Sequence, residues 1–339
     1  MFIFTLCLKQ EFFAVNASNV LLDSRFGHLI SKVKEKKSIT MTSIIFVGDV
    51  MLARDVETKM KQLGADYPFL KISEAFKNSY VFGNFEASIP RSHRPTPNFQ
   101  FKFSVDSNNL ESLVTAGFTH FSLANNHAFD FGQSGYLNSI QQLELRDFTV
   151  VGNPTTVSTS SVAFININSV SVGVLTMSAV SAYPQAQEWQ AIVDFAKKKS
   201  DLQIVYIHWG DEYVPKHNTA QQNLAHELVD SGIDVVIGHH PHVVQDIESY
   251  KNGLIIYSLG NFVFDQYFND SVQTGLMLKM VLGINSNYLE LLPITTKNSA
   301  TQPNIMTSEN STIFLENLAE KSSPNLSKSI KKGILGFKY

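Results

Sequence analysis

Short, nearly unbroken apolar runs alternate along the chain with longer stretches in which apolar residues recur every three to four positions. Runs of four to six residues rich in β-branched and aromatic side chains read as strands buried on both faces. Ile44–Val47, Ser79–Phe82, Phe118–Leu123, Gln203–Ile207, Asp234–Ile237 and Leu254–Ser258 are predicted as such strands. Val162–Val174 reads as two strands around a polar turn at Asn168-Ser169, and Val272–Leu282 with Tyr288–Ile294 as closing antiparallel strands. Helical periodicity fills the intervals at Ala53–Leu63, Asn108–Ala116, Gly135–Leu145, Ala186–Lys198 and Thr219–Ser231. The last of these places Leu224, Leu228 and Val229 on one stripe and stops at Gly232. Residues 300–310 read as a polar connection and Ser311–Ala319 as an amphipathic final helix. This alternation predicts an α/β sandwich rather than a helical bundle. With no internal repeat in view, residues 41–339 read as one domain with a C-terminal helical tail.

The first forty residues do not fit that pattern. Met1–Leu8 is apolar but meets Lys9, Gln10 and Glu11 at once, and no basic segment precedes it. A secretory signal is therefore a poor reading. The segment ends in the basic cluster Lys32 to Lys37, and Met41 opens directly onto the first strand. Residues 1–40 are expected to be upstream sequence or a loosely ordered extension, with translation starting at Met41; the alternative is a membrane-surface anchor. A start at Met41 would make the protein cytoplasmic.

Composition narrows the classes. The 339 residues are 44% hydrophobic and 17% charged, enough to bury a substantial core and unlike a disordered or fibrous chain. Twenty-seven basic against thirty acidic residues give a formal charge of −3, so no global field recruits nucleic acid. No stretch reaches the roughly 18 consecutive apolar residues of a membrane-spanning helix. The single cysteine, Cys7, leaves any metal to His, Asp, Asn and Glu.

Candidate chemistry clusters where the strands end. Asp49, Asn84 or Glu86, Asn126, His208 and the trio His239, His240 and His242 all lie just past a predicted strand. In open α/β sheets such ends converge on one crevice. Alone, most of these signals are ordinary: Gly48-Asp49 is turn chemistry, Asn125-Asn126-His127 suits a helix-capping loop, and His208 suits a hydrogen-bonded core histidine. Gly238-His239-His240-Pro241-His242 is not ordinary, because three imidazoles in four residues on a tight turn point to a cation. Carboxylate, amide and imidazole donors without sulfur suit one or two ions of Mn, Fe, Zn or Mg. A pair of ions about 3.5–4 Å apart needs a bridging oxygen, for which Asp49 or Glu86 is the candidate. His127 is placed to act as a general acid, and Asp130 either orients that imidazole or caps the next helix.

The segments FVGDVML (46–52), GNFE (83–86), LANNHAFDFG (123–132), HWGDEY (208–213), GHHPHVVQ (238–245) and YSLGNFVFDQ (257–266) resemble the CapA/PgsA family of poly-γ-glutamate capsule synthesis proteins. The resemblance runs in order over nearly all of residues 43–285. It implies a branch of the calcineurin-like metallophosphoesterases, with a four-layer α-β-β-α sandwich and a metal site at the strand ends. Carried over, it makes Asp49, Asn126, His208, His240 and His242 metal ligands and His127 a general acid. Two positions depart from the phosphoesterase pattern. Met51 stands where a ligand histidine is usual, and Asn84 stands where a bridging Asp is usual, which shifts the bridging role to Glu86. Arg54, Glu212 and Asn261, within the same motifs, are candidate substrate contacts; Lys102, Arg91 and Arg94 lie near motif loops.

The leading expectation is a protein of poly-γ-glutamate synthesis or processing with a metal-dependent hydrolase-like site, acting on an anionic polymer beside capsule-synthesis partner proteins. The alternatives are a metal-dependent phosphoesterase with a phosphoester substrate and a non-catalytic polymer-binding scaffold. The family resemblance pulls against a cytoplasmic location, since such proteins are commonly anchored or exported.

Overall fold

The computed structural model describes residues 41–97, 100–180, 183–283 and 287–339. The expectations for residues 1–40 fall outside them. In chain order the strands are β1 (Ser43–Val50), β2 (Ser79–Phe85), β3 (His120–Ser122), β4 (Thr149–Val151), β5 (Val162–Ile167), β6 (Val170–Ala179), β7 (Leu202–Trp209) and β8 (Val235–His239). They continue with β9 (Ile247–Tyr250), β10 (Gly253–Ile256), β11 (Asn261–Val263), β12 (Thr274–Leu282), β13 (Asn287–Thr295), β14 (Asn304–Ile305) and β15 (Ile334–Phe337). The α-helices are α1 (Arg54–Leu63), α2 (Glu111–Ala116), α3 (Gly132–Glu144), α4 (Ala186–Lys197), α5 (Thr219–Asp230), α6 (Ser308–Lys321) and α7 (Ser327–Lys331).

Two sheets result. The first runs β14-β13-β12-β1-β2-β3-β4, with β11 beside the end of β1 and β15 beside β13. The second runs β5-β6-β7-β8-β10-β9. Strands β1 to β4 are mutually parallel, as are β6, β7, β8 and β10, so each sheet gathers its C-terminal strand ends on one rim. Alternation along the strands explains the layering. Ile45 and Val47 of β1 pack with Val56 and Met60 of α1, Leu113 of α2 and Leu143 of α3. Ile44 and Phe46 turn the other way, onto Ile204 and Tyr206 of β7 and Val235 and Ile237 of β8. The outer face of the second sheet, with Val205, Ile207 and Val236, is covered by Trp189 and Val193 of α4 and Leu224 and Leu228 of α5. Three apolar interfaces separate four layers, helix, sheet, sheet and helix, which is the architecture the resemblance implies.

The long strands match the apolar runs closely, but β6 extends to Ala179, past the expected end at Val174. Strands β4, β9, β11, β14 and β15 have no counterpart in the sequence reading. Each is two to four residues long, too short for periodicity to register. The stretch 300–310 contains β14 and the first turn of α6, and the chain after α6 ends in α7 and the strand β15 rather than in helix alone. Among the described residues, no helix is long and apolar enough to cross a membrane.

Candidate metal centre

Register brings the donor side chains into two facing rows. Across the first sheet Asn84, Asp49 and Asn261 are neighbours on β2, β1 and β11. Across the second, His208 and His239 are partners on β7 and β8. His208 continues the inward stripe Ile204-Tyr206, and His239 continues Val235-Ile237. Strict alternation from Ile44 and Phe46 would turn Asp49 outward. An irregularity in the β1–β2 pairing between Phe46 and Asp49 re-aims it into the gap between the sheets. Gly48 permits the close approach this requires, since a Cβ there would lie 1.7 Å from the Gly260 carbonyl oxygen.

Asp49, Glu86, His208 and His239 are fully buried, and His240 and His242 are 3% exposed. Asp49 Oδ1 accepts from Asn84 Nδ2 at 2.9 Å and lies 3.3 Å from His239 Nδ1. Its Oδ2 accepts from the His240 backbone N–H at 3.2 Å and lies 3.3 Å from His242 Nδ1. Burial opposes the charge, yet these donors outweigh it and hold the Asp49 carboxyl well below its ordinary range. Glu86 is the opposite case. Burial, then the neighbouring Asp49, push its carboxyl well above the usual range. Its Oε2 accepts from Asn84 Nδ2 at 3.1 Å, while Oε1 has no partner among the described residues. Asn84 thus puts one amide nitrogen between two carboxyls and turns its oxygen to Asn125 Nδ2 at 2.9 Å.

The hydrogen bonds assign the imidazole tautomers. His208 Nε2 donates to Asn126 Oδ1 at 2.8 Å, and its Nδ1 receives His239 Nδ1–H at 2.8 Å. That arrangement leaves His239 Nε2 a bare lone pair, buried and unpartnered among the described residues, as is His240 Nδ1. Burial drives His208 and His239 below the ordinary imidazole value and His240 down to about 3, so all three are neutral at pH 7 and able to act as ligands. Two donor sets, Asp49 with His208 and His239, and Glu86 with His240 and His242, each fall within 4.8 Å. Orphaned acceptors in a buried pocket that holds two carboxyls are what a divalent cation would satisfy, so the residues present fit one.

His127 sits beside this cluster. Its Nδ1 is 3.0 Å from Asp130 Oδ2, its Nε2 is 4.0 Å from Glu86 Oε1, and its ring stacks on Phe103 at 4.0 Å. Asp130 also accepts the Phe103 N–H at 2.6 Å, whereas the N-cap of α3 is Phe131. Asp130 thus contacts the His127 imidazole and does not stand at the N-cap of α3.

The three expected substrate contacts are placed differently. Arg54 is buried, ion-paired with Asp265 and set over the Phe103 ring at 4.6 Å. Asn261 spends its amide within the protein, taking His242 Nδ1 at 2.9 Å and giving Nδ2 to Gln266 Oε1 at 2.9 Å. Glu212 is exposed on the loop after β7, and so are Lys102, Arg91 and Arg94 on theirs. The family resemblance brings forward His240 and His242 rather than His239. The signal that finds it is alternation along β8, which points residues 235, 237 and 239 to one face. His240 and His242 instead occupy left-handed backbone, φ 102° and 58°, beyond the strand.

The signature of the family described as bacterial capsule synthesis protein PGA_cap matches residues 43–266. The chain is 31% identical to the capsule biosynthesis protein CapA of Bacillus anthracis, over 80% of this chain and 71% of that one. It is 30% identical to the PGA biosynthesis protein CapA of Bacillus subtilis, over 77% of this chain and 73% of that one. Among solved structures it is similar to a putative 5′-nucleotidase from Staphylococcus aureus, at 14% identity and a TM-score of 0.47 over 86% of this chain and 58% of that one.

Proposed function

Because the chain belongs to the family of bacterial capsule synthesis proteins, we propose that it acts in the synthesis or processing of poly-γ-glutamate through a metal-dependent, hydrolase-like centre at its strand ends. The observation that carries the chemistry is the convergence of six buried donors in two sets, three of their atoms lacking any partner among the described residues. One or two divalent ions (Mn, Fe, Zn or Mg), when bound, would supply Lewis acidity and a more acidic bound water.

The remaining roles belong to the chain. Asp49, kept ionised by its ring of donors, provides fixed negative charge between the two sheets. Burial and the neighbouring Asp49 push the Glu86 carboxyl up, and positive charge in the pocket would favour its carboxylate form. His127 presents Nε2 to the pocket while Asp130 holds Nδ1, a geometry suited to delivering a proton to a leaving amine or alkoxide. Arg54, neutralised by Asp265, braces the Phe103 ring on which His127 stacks. Exposed Lys102, one residue before Phe103, offers a cation to the carboxylates of an approaching polymer.

The test is metal analysis of the wild type and of Asp49→Ala, together with cleavage of a γ-linked glutamate oligomer. Bound metal and cleavage in the wild type, both lost in the variant, are expected. Phosphate release from an aryl phosphate without polymer cleavage would move the reading to a phosphoesterase. Negligible metal in both proteins would remove every enzymatic reading and leave a polymer-binding scaffold.

A further inference from the structure

Two large aromatic side chains stand out in solvent beside the centre, Tyr213 at 41% and Phe268 at 62% exposure. They meet edge to face, 5.0 Å between centroids, and the Tyr213 ring lies 6.0 Å from the His242 imidazole. Exposure of this much ring surface next to a cluster of buried donors calls for an occupant.

Tyr213 is held in place. Its backbone is left-handed at φ 66°, and its N–H donates to the Pro241 carbonyl at 2.8 Å. Its hydroxyl accepts from Gln266 Nε2 at 3.1 Å, Gln266 Oε1 accepts from Asn261 Nδ2 at 2.9 Å, and Asn261 Oδ1 takes the proton of His242 Nδ1 at 2.9 Å. This chain of hydrogen bonds links the platform to a candidate ligand, while the backbone of Tyr213, tied to Pro241, is what holds the ring in place. A left-handed tyrosine is strained, and strain of this kind persists where the surroundings over-determine it. The charge around the platform restricts what it can take. Exposed Asp211 and Glu212 immediately precede Tyr213, so carboxylates are repelled from this lip while uncharged planar groups are not.

We propose that Tyr213 and Phe268 form a stacking subsite that receives the planar, uncharged amide unit of the substrate chain beside the metal centre. The proposal rests on the polymer reading above and adds where the chain lies. The γ-amide plane and its methylene stem cover the rings, and the carboxylates turn away from Asp211 and Glu212.

The test is calorimetric titration of a γ-linked glutamate oligomer into manganese-loaded wild type, Tyr213→Ala, Tyr213→Phe and Phe268→Ala, with metal content measured on each. Affinity is expected to fall roughly fivefold or more in both alanine variants, in keeping with the worth of an aromatic contact, and to stay within about twofold in Tyr213→Phe, at equal metal content. Alanine variants that bind as tightly as the wild type overturn the subsite and leave the polymer reading standing. An equal loss in Tyr213→Phe, or metal loss in the alanine variants, also overturns it, because the side chains then act by positioning His242. A wild type that does not bind the oligomer defeats the polymer reading, and the occupant named here with it.

Discussion

Asp49 and Glu86 are both fully buried carboxyls near the ends of adjacent strands, yet they sit on opposite sides of the ordinary range. The difference is the donor count. Asp49 is ringed by an amide, a backbone N–H and two imidazoles, whereas Glu86 receives a single amide hydrogen and faces its neighbour's charge. In metal-free protein Glu86 holds its proton above the ordinary value of 4.5, so the folded state binds more protons than the unfolded one as pH rises past that value. Stability from this group is thus fully present below pH 4.5 and is lost as pH rises toward the folded value. Glu86→Gln, which keeps the shape without the titration, should match the chelator-treated wild type at pH 4 and become the more stable of the two at pH 7. Denaturant unfolding at both pH values measures this; a gap that stays constant with pH refutes it. Asp130 supports a different expectation. As an amide it no longer demands a proton on His127 Nδ1, so Asp130→Asn should lower hydrolysis by roughly 10²-fold. Metal content should be unchanged, and a variant that loses metal would show that Asp130 shapes the centre rather than the imidazole.

At the scale of elements, the centre depends on how strands are brought together, and the sequence shows only part of that. The runs of β1, β2, β7 and β8 are legible because both faces of each strand are buried, and the polar residue that ends each run is conspicuous. Which way that residue points is less so. His208 and His239 follow simple alternation, but Asp49 reaches its place only through the irregularity in β1, set by pairing with β2. The three-residue β11 carries no periodic signal, yet it places Asn261 beside Asp49 and behind His242. That is why its motif suggests a substrate contact for Asn261 while the structure places it against His242, a candidate ligand. Gly48 is the hinge of this arrangement. In Gly48→Ala the new methyl would meet backbone at Gly260, which cannot swing aside like a side chain. A loss of about 1–3 kcal/mol or more in unfolding free energy is expected, together with weaker metal retention as the Leu259–Asn261 segment moves. Unchanged stability would mean that the two strands separate freely there.

Across the whole molecule, the donors come from both sheets. Asp49 and Glu86 follow from the first, and His208, His239, His240 and His242 from the second, while the apolar interface behind them is closed by Phe46, Phe82 and Tyr206. Direct hydrogen bonds already cross the gap, from His208 to Asn126 and from Tyr206 Oη to the Val47 carbonyl at 2.6 Å. A cation held by the two donor sets would join the same layers at the rim, where two buried carboxyls now face each other with one amide between them. Binding to the folded state alone stabilises it by mass action, about 2.7 kcal/mol at 100 times the dissociation constant. For a chain of this size that corresponds to a rise in Tm of roughly 5 °C. Manganese added to chelator-treated wild type should therefore raise Tm by about that amount, with secondary and tertiary signals moving together because both sheets share the ion. His239→Ala removes the donor whose lone pair is unpartnered and should abolish most of the shift, from a lower metal-free Tm because the buried imidazole also faces His208 and Asp49. If the ion raises Tm equally in that variant, it binds elsewhere, and the inter-sheet gap is a polar seam rather than a metal centre.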